Sequence, residues 1–281
     1  MIIVPPPLAV TGATGKLGGR VASLLSAAGL KQRLLVRTPR MAPVLEGTTV
    51  LQAAYENTTA TRMALAGAGT VFMVPGTEGM ERLERHCDFV DAAKASGVRH
   101  LVYVSFVGAA QDAVFALARD QYATEEYIRA SGIHFTFLRN NLYADYIPEM
   151  VGQDGTIRGP AGASKVALVA RADVARTAAL ILQEPTRHEG STYELTGPEA
   201  LSMARIAEEL SSAGPRMVSY VPQTMEQAYA SREAFGASKW QVEAWVSTYT
   251  SMASGAMANV SGDIEKITGV PPMSFAKLLR S

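Results

Sequence analysis

The stretch Leu8-Ala9-Val10-Thr11-Gly12-Ala13-Thr14-Gly15-Lys16-Leu17-Gly18 decides how this chain is read. It begins as a short apolar run of the kind that forms a buried strand, and continues with glycines in a G-x-x-G-x-x-G spacing. After them Leu17, Val21, Leu24, Leu25 and Ala28 fall at i, i+4, i+7, i+8 and i+11, a helical stripe closed by Gly29 at its C′ position. Strand, glycine turn and helix in that order bring backbone N–H groups and the positive end of a helix dipole to one point. Gly12 permits the tight turn, Gly15 lets the backbone approach a phosphate, and Gly18 lets the helix pack closely on the strand. The segment predicts a dinucleotide site.

The next strand, expected over 32–37, runs into Val36-Arg37-Thr38-Pro39-Arg40. An NAD site carries an Asp or Glu there to accept from the ribose 2′-OH; a guanidinium cannot accept that bond but can pair with a 2′-phosphate. Arg37, assisted by Arg40 and Lys16, therefore predicts NADP(H). Further strands are expected over 49–53, 71–74, 99–105 and 134–138, alternating with helices over about 59–66, a segment ending near Gly97, and about 112–130. The inner stripe of the helix before Gly97 is read as Met80, Leu83, Cys87 and Val90. This alternation predicts the α/β class: a Rossmann-type, doubly wound parallel sheet covered on both faces.

Beyond Asn140 the pattern loosens. Residues 152–165 read as loop or short hairpin, followed by a helix opening near Arg171, a strand at 192–195, a helix at 202–212 and a strand at 217–221. The remainder reads as mostly helical, broken at Gly236, Gly262 and Pro271-Pro272; Trp245, Tyr249 and Met252 follow helical spacing and are expected to pack in the core. The expected organisation is a Rossmann domain over 1–150 and a smaller, mostly helical C-terminal substrate lobe over 151–281, with segments of about 166–195 returning to the sheet.

Bulk composition sets outer bounds. The 281 residues carry 26 Lys plus Arg against 26 Asp plus Glu, so there is no net field to draw nucleic acid or an anionic membrane. One cysteine, Cys87, excludes an intrachain disulfide and suits a reducing compartment. The four histidines lack metal-ligand spacing, no apolar run reaches a membrane span, and the opening Met1-Ile2-Ile3-Val4-Pro5-Pro6-Pro7 has no basic leader. The expectation is a cytoplasmic protein without a metal, its exposed C-terminal helices leaving room for a homodimer.

Several segments resemble the NmrA-like branch of the atypical short-chain dehydrogenase/reductases, and within it the type-2 NAD(P)H:quinone oxidoreductases and triphenylmethane reductases. They are VTGATGKLGG (10–19), LLVRTP (34–39), ALAGAGTVFMVPG (64–76), AAKASGVRHLVYVS (92–105), ATEEYIRASGIHFTFLRNNLYADY (123–146) and RADVARTAALIL (171–182). The resemblance implies a nicotinamide cofactor, with Gly12, Thr14, Gly15, Lys16, Leu17 and Gly18 at the pyrophosphate loop and Arg37 at the 2′-phosphate. It further implies that Val74, Pro75 and Gly76 line the ribose and nicotinamide, and that Ser105 and Phe106 sit beside the nicotinamide. Asn140, Asn141 and Tyr143 are implied to face the same cleft.

Two departures bear on chemistry. After the third strand the family often has an acidic residue before an aromatic; here Ala54 precedes Tyr55, so adenine must be anchored by backbone or by Tyr55. The Tyr-x-x-x-Lys pair of ordinary short-chain dehydrogenases, in which the ammonium lowers the tyrosine pKa, is missing: Tyr122 is followed by Glu126, and Gln121 stands where the resembled reductases carry histidine. An electron-poor acceptor takes hydride from a well-placed nicotinamide without an acid–base residue. The reading is thus an NADPH-dependent reductase of a planar, quinone-like or conjugated aromatic acceptor, positioned by Tyr143 and Asn140 with Tyr122 or Gln121 as further polar contacts. The competing readings are an NADP-binding redox sensor without turnover and an NADP-binding isomerase or dehydratase.

Overall fold

The computed structural model describes residues 8–233 and 235–280; the proline run at the chain start lies outside them. In chain order the first elements are β1 (Leu8–Thr11), α1 (Lys16–Ala27), β2 (Gln32–Val36), β3 (Thr48–Gln52), α2 (Thr59–Leu65), β4 (Thr70–Met73) and α3 (Arg82–Ala95). Then come β5 (His100–Phe106), α4 (Ala116–Ser131), β6 (His134–Asn140), β7 (Thr156–Gly159), β8 (Lys165–Val166), α5 (Arg171–Gln183) and β9 (Ser191–Leu195). The last are β10 (Leu201–Ser202), α6 (Met203–Ala213), β11 (Ser219–Pro222), α7 (Met225–Glu233), α8 (Lys239–Ala253), α9 (Asp263–Thr268) and α10 (Phe275–Leu278).

Seven strands form one sheet in the order β3-β2-β1-β4-β5-β6-β9. Its ladders β2·β3, β1·β2, β1·β4 and β4·β5 are parallel, with Thr11 opposite Leu35 and Val10 opposite Phe72. β1 and β4 are buried along their whole length, as strands covered on both faces must be. The strand order reverses between β1 and β4, and in open α/β sheets that crevice, at the carboxyl ends of the strands, is where ligands bind.

The chain divides into two compact units. The first holds the described residues up to Ser105, Tyr122–Leu138 and Val174–Tyr193. An apolar cluster that includes Val71, Met73, Phe89, Leu101, Tyr103, Ile128 and Phe137 forms its core. Local signals start its helices: Thr58 caps α2, its hydroxyl accepting from the Thr61 amide at 3.3 Å.

One sequence expectation fails in this unit. The buried stripe of α3 is Arg82, His86, Phe89, Val90 and Ala93, whereas Met80 precedes the helix and is 85% exposed, and Cys87 is only half-buried. The helix is rotated relative to a purely apolar reading because two polar residues, Arg82 and His86, lie on its inner face.

The second unit holds Phe106–Gln121, Arg139–Asp173 and the described residues from Glu194 onward. Its core gathers Ile147, Ile157, Val166, Met203, Ile206, Tyr249, Met252 and Phe275. Ser202 caps α6, accepting from the Arg205 amide at 3.2 Å, and Gln241 Oε1 accepts from the Ser238 amide at 3.0 Å at the start of α8. Two expectations need correction here. Residues 152–165 do not form a hairpin: β7 pairs in parallel with β11 and β8 antiparallel with β10, so each short strand finds its partner far along the chain. Trp245 is 38% exposed and points away from the core that Tyr249 and Met252 join.

Candidate cofactor and substrate site

The loop after β1 is built around atoms that exclude side chains. Gly12 has φ +65°, and a Cβ there would meet Val74 Cβ at 3.0 Å. At Gly18 a Cβ would lie 2.4 Å from the Gly12 carbonyl oxygen and 2.7 Å from that of Thr11, so the first turn of α1 rests directly on the loop backbone. The Gly15 amide donates to the Gly12 carbonyl at 2.8 Å, and Gly15 opens α1 with no side-chain cap and no acidic residue in the first turn. The positive end of a twelve-residue helix is thus left for an external anion. Thr14, Gly15 and Lys16 are exposed beside it, while Leu17 and Gly18 are buried, so Leu17 offers backbone only.

Thr11 ties this loop to the neighbouring strand ends. Its buried hydroxyl accepts from the Val74 amide at 2.9 Å, lies 3.1 Å from the Phe72 carbonyl and contacts the Tyr55 hydroxyl at 2.7 Å. The Tyr55 hydroxyl in turn donates to the Val74 carbonyl. Burial holds the Tyr55 phenol well above its ordinary range. Tyr55 therefore acts as a neutral strut between the ends of β1 and β4, and only its ring remains for an adenine.

Arg37 follows directly on β2, and the β1·β2 register sets Thr11 against Leu35. Arg37 and Arg40 are both exposed, and neither guanidinium has a hydrogen-bond or ion-pair partner among the described residues. Only the Arg37 backbone is engaged, its carbonyl accepting from Gln52 Nε2 at 3.2 Å.

Polar residues from two helices meet the ends of β4 and β5. The Gly76 amide donates to His86 Nε2 at 2.9 Å, and His86 Nδ1 lies 2.9 Å from Thr124 Oγ1. Ser105 donates to Glu125 Oε1 at 2.5 Å, and Arg129 approaches Glu125 Oε2 at 3.6 Å. Both Ser105 and Glu125 are buried. On the outer side of α3, burial and then Asp91 and Asp88 push the Cys87 thiol up, which keeps it protonated.

In the second unit Phe106 packs on Phe115 with ring centroids 4.8 Å apart. Asn140 Nδ2 donates to the Asn141 carbonyl at 3.0 Å; Asn141 donates to the Met257 carbonyl at 2.9 Å and accepts from the Leu142 amide at 2.8 Å. Asn141 is thereby a clamp within its own unit. The Arg171 guanidinium sits 4.6 Å from the Tyr143 ring centroid, while Asp145 accepts from the Arg171 amide at 2.7 Å. Burial raises the Tyr143 phenol, so its hydroxyl stays neutral. Gln121 is buried in this unit, and half-buried Tyr122 belongs to the first. Among the described residues no cluster of His, Cys, Asp or Glu is set to hold a metal ion, and no helix is long and apolar enough to cross a membrane.

A model of the NAD(P)H-binding family matches residues 12–185. The chain belongs to that family. It is 31% identical over 277 residues to quinone oxidoreductase 2 of Escherichia coli (strain K12), covering 96% of each chain. Among solved structures, Escherichia coli NADPH-dependent quinone oxidoreductase QOR2 complexed with NADPH superposes with a TM-score of 0.88 at 29% identity, covering 97% of this chain and 98% of that one. Citrobacter sp. triphenylmethane reductase complexed with NADP(H) superposes with a TM-score of 0.85 at 29% identity, covering 98% and 99%.

As an NAD(P)H-binding protein the chain has a loop that fits its ligand: a glycine cradle that any Cβ would fill, and an uncapped helix start. The sequence reading expects that loop and Arg37 at the cofactor and does not include His86, Thr124 and Glu125, which the fold brings to the ends of β4 and β5. Thr124 and Glu125 directly precede Glu126, which stands at the lysine position of a Tyr-x-x-x-Lys pair, while no local pattern marks His86.

Proposed function

We propose that the protein is an NADPH-dependent reductase of planar, quinone-like or conjugated aromatic acceptors. The observation that carries the reading is the pair of exposed guanidinia, Arg37 and Arg40, unpartnered beyond β2 where an NAD site needs an acceptor. Gly12, Thr14, Gly15, Lys16, Leu17 and Gly18 would hold the pyrophosphate on the α1 N-terminus, and Tyr55, Val74, Pro75, Gly76, Ser105 and Phe106 would line the rest of the dinucleotide. When bound, the reduced nicotinamide supplies a hydride. The Ser105 hydroxyl is committed to Glu125, and solvent can supply the proton that completes reduction. Acceptor positioning is assigned to Tyr143 and Asn140, with Tyr122 and Gln121 as further polar contacts. The relatives named for quinone and triphenylmethane reduction support the acceptor class.

We read the protein as cytoplasmic on its single cysteine, and as a homodimer through the exposed Tyr229, Phe235 and Trp245, a state that light scattering measures directly. The cofactor assignment is tested by calorimetric titration of NADPH and NADH into wild type and Arg37→Ala. The expected result is tighter NADPH binding in wild type, with a loss of about tenfold in the variant, the worth of one charge-assisted contact, and no change for NADH. Equal affinity for the two cofactors in both proteins would overturn it.

A further inference from the structure

The three residues after β4 can be accounted for group by group. The Val74 N–H donates to Thr11 Oγ1, and the Val74 carbonyl accepts from the Tyr55 hydroxyl. Pro75 has no N–H, and the Gly76 N–H is taken by His86 Nε2. What remains are the carbonyls of Pro75 and Gly76, which receive no hydrogen bond from the described residues. Both residues are half-buried, so these carbonyls are open to accept and the segment offers a ligand acceptors and no donors.

We propose that His86 is a positioning residue for the cofactor: by taking the Gly76 N–H it fixes Val74–Pro75–Gly76 as an acceptor-only ledge for ligand donors, the ribose hydroxyls or the carboxamide N–H groups of a nicotinamide dinucleotide. The inference rests on the reading that this segment lines the cofactor. The ring is suited to the task. An Nε2 that accepts an N–H carries no proton, so Nδ1 is the protonated nitrogen and donates to Thr124 at 2.9 Å. The ring is 0% exposed and held edge-on by Tyr55 at 5.7 Å and Tyr103 at 5.9 Å, so neither nitrogen can turn away. Arg82, one helical turn earlier, is 5% exposed with Nε and Nη1 unpartnered. Burial and that neighbouring cation push the His86 pKa down to about 3. A leucine at this position would fill the space and leave the Gly76 N–H without an acceptor.

The test uses full-length protein, His86→Leu and His86→Gln, with NADPH affinity read by nucleotide fluorescence and kcat read with a naphthoquinone. The amide cross-peak of Gly76 is followed in parallel during NADPH titration of the wild type. The expected result is a loss of about fivefold or more in affinity, with lowered kcat, for the leucine variant. Glutamine, whose amide oxygen can accept from Gly76, restores both to within about twofold. A shifting Gly76 cross-peak, together with a folded leucine variant that binds and turns over like wild type, overturns the role of His86 while leaving the segment at the cofactor. A cross-peak that does not move at saturating NADPH overturns the placement of the segment, and the proposal with it. If the leucine variant does not fold, the ring nitrogens of wild-type His86 decide by 15N spectroscopy. A bare Nε2 whose resonance shifts when NADPH binds supports the role; a protonated or unresponsive Nε2 overturns it.

Discussion

Gly18 shows how little tolerance the loop has at the level of single atoms. A methyl group there would stand 2.4 Å from one carbonyl oxygen and 2.7 Å from another, both backbone and unable to swing aside. Gly18→Ala is expected to push α1 off the loop, costing roughly 1–3 kcal/mol of stability by overpacking and lowering NADPH affinity at least about tenfold. Thermal melts and nucleotide titration of the variant check both effects; an unchanged melt would show that the helix can shift freely. Arg37 poses the opposite case, an exposed side chain with no side-chain partner among the described residues and a proposed role only toward a ligand phosphate. These residues stand out in the sequence because the role proposed for them depends on neighbours in the chain: a glycine spacing, a strand end, a missing acid. His86 and Glu125 do not, because their partners are fixed only by the fold. His86 meets Thr124 from 38 positions away, and Glu125 meets Ser105 from 20.

At the scale of elements, α3 shows why an apolar stripe can mislead. The periodicity of Met80, Leu83, Cys87 and Val90 is helical, yet the helix buries Arg82 and His86, and His86 accepts from the Gly76 amide beyond the end of β4. Helix α8 misled in the other direction, since Trp245 shares the spacing of Tyr249 and Met252 but lies on the open side. Buried histidines give the first unit a pH signature. Burial, reinforced by Arg82, lowers His86 to about 3, and burial lowers His100 to about 4. His100 Nε2 donates to Thr136 Oγ1 at 2.8 Å, because that hydroxyl gives its own proton to the His188 carbonyl at 2.7 Å; His100 Nδ1 is buried without a partner. Both rings are neutral when folded, whereas the unfolded chain binds their protons below about pH 6.5. Their contribution is therefore complete above pH 6.5 and lost as pH falls toward the folded values. Between pH 7 and pH 5 each ring costs roughly 2 kcal/mol of stability. Urea unfolding at the two pH values should show this loss, reduced in His100→Gln; an identical pH slope in the variant would contradict the assignment.

Across the whole molecule, the alternation of apolar strands with helical stripes made the doubly wound sheet readable, because each strand–helix unit is local and β3-β2-β1-β4-β5-β6 is the strand order of a doubly wound dinucleotide-binding sheet. The second unit was less legible. β7 and β11 lie some sixty residues apart, as Thr156 opposite Ser219 illustrates, and no local pattern announces a parallel pair of that span. Substrate positioning is proposed from that unit, which is why the acceptor is proposed by class while the cofactor follows from membership of the NAD(P)H-binding family. The claim that joins the two is turnover. The most direct measurement is anaerobic consumption of NADPH against a panel of quinones, triphenylmethane dyes and enones, with reduced product quantified. The account predicts consumption with at least one quinone or dye, one NADPH per two-electron product, and a slower reaction with NADH. Tight NADPH binding with no consumption across the panel would contradict it and leave an NADP-binding redox sensor in its place.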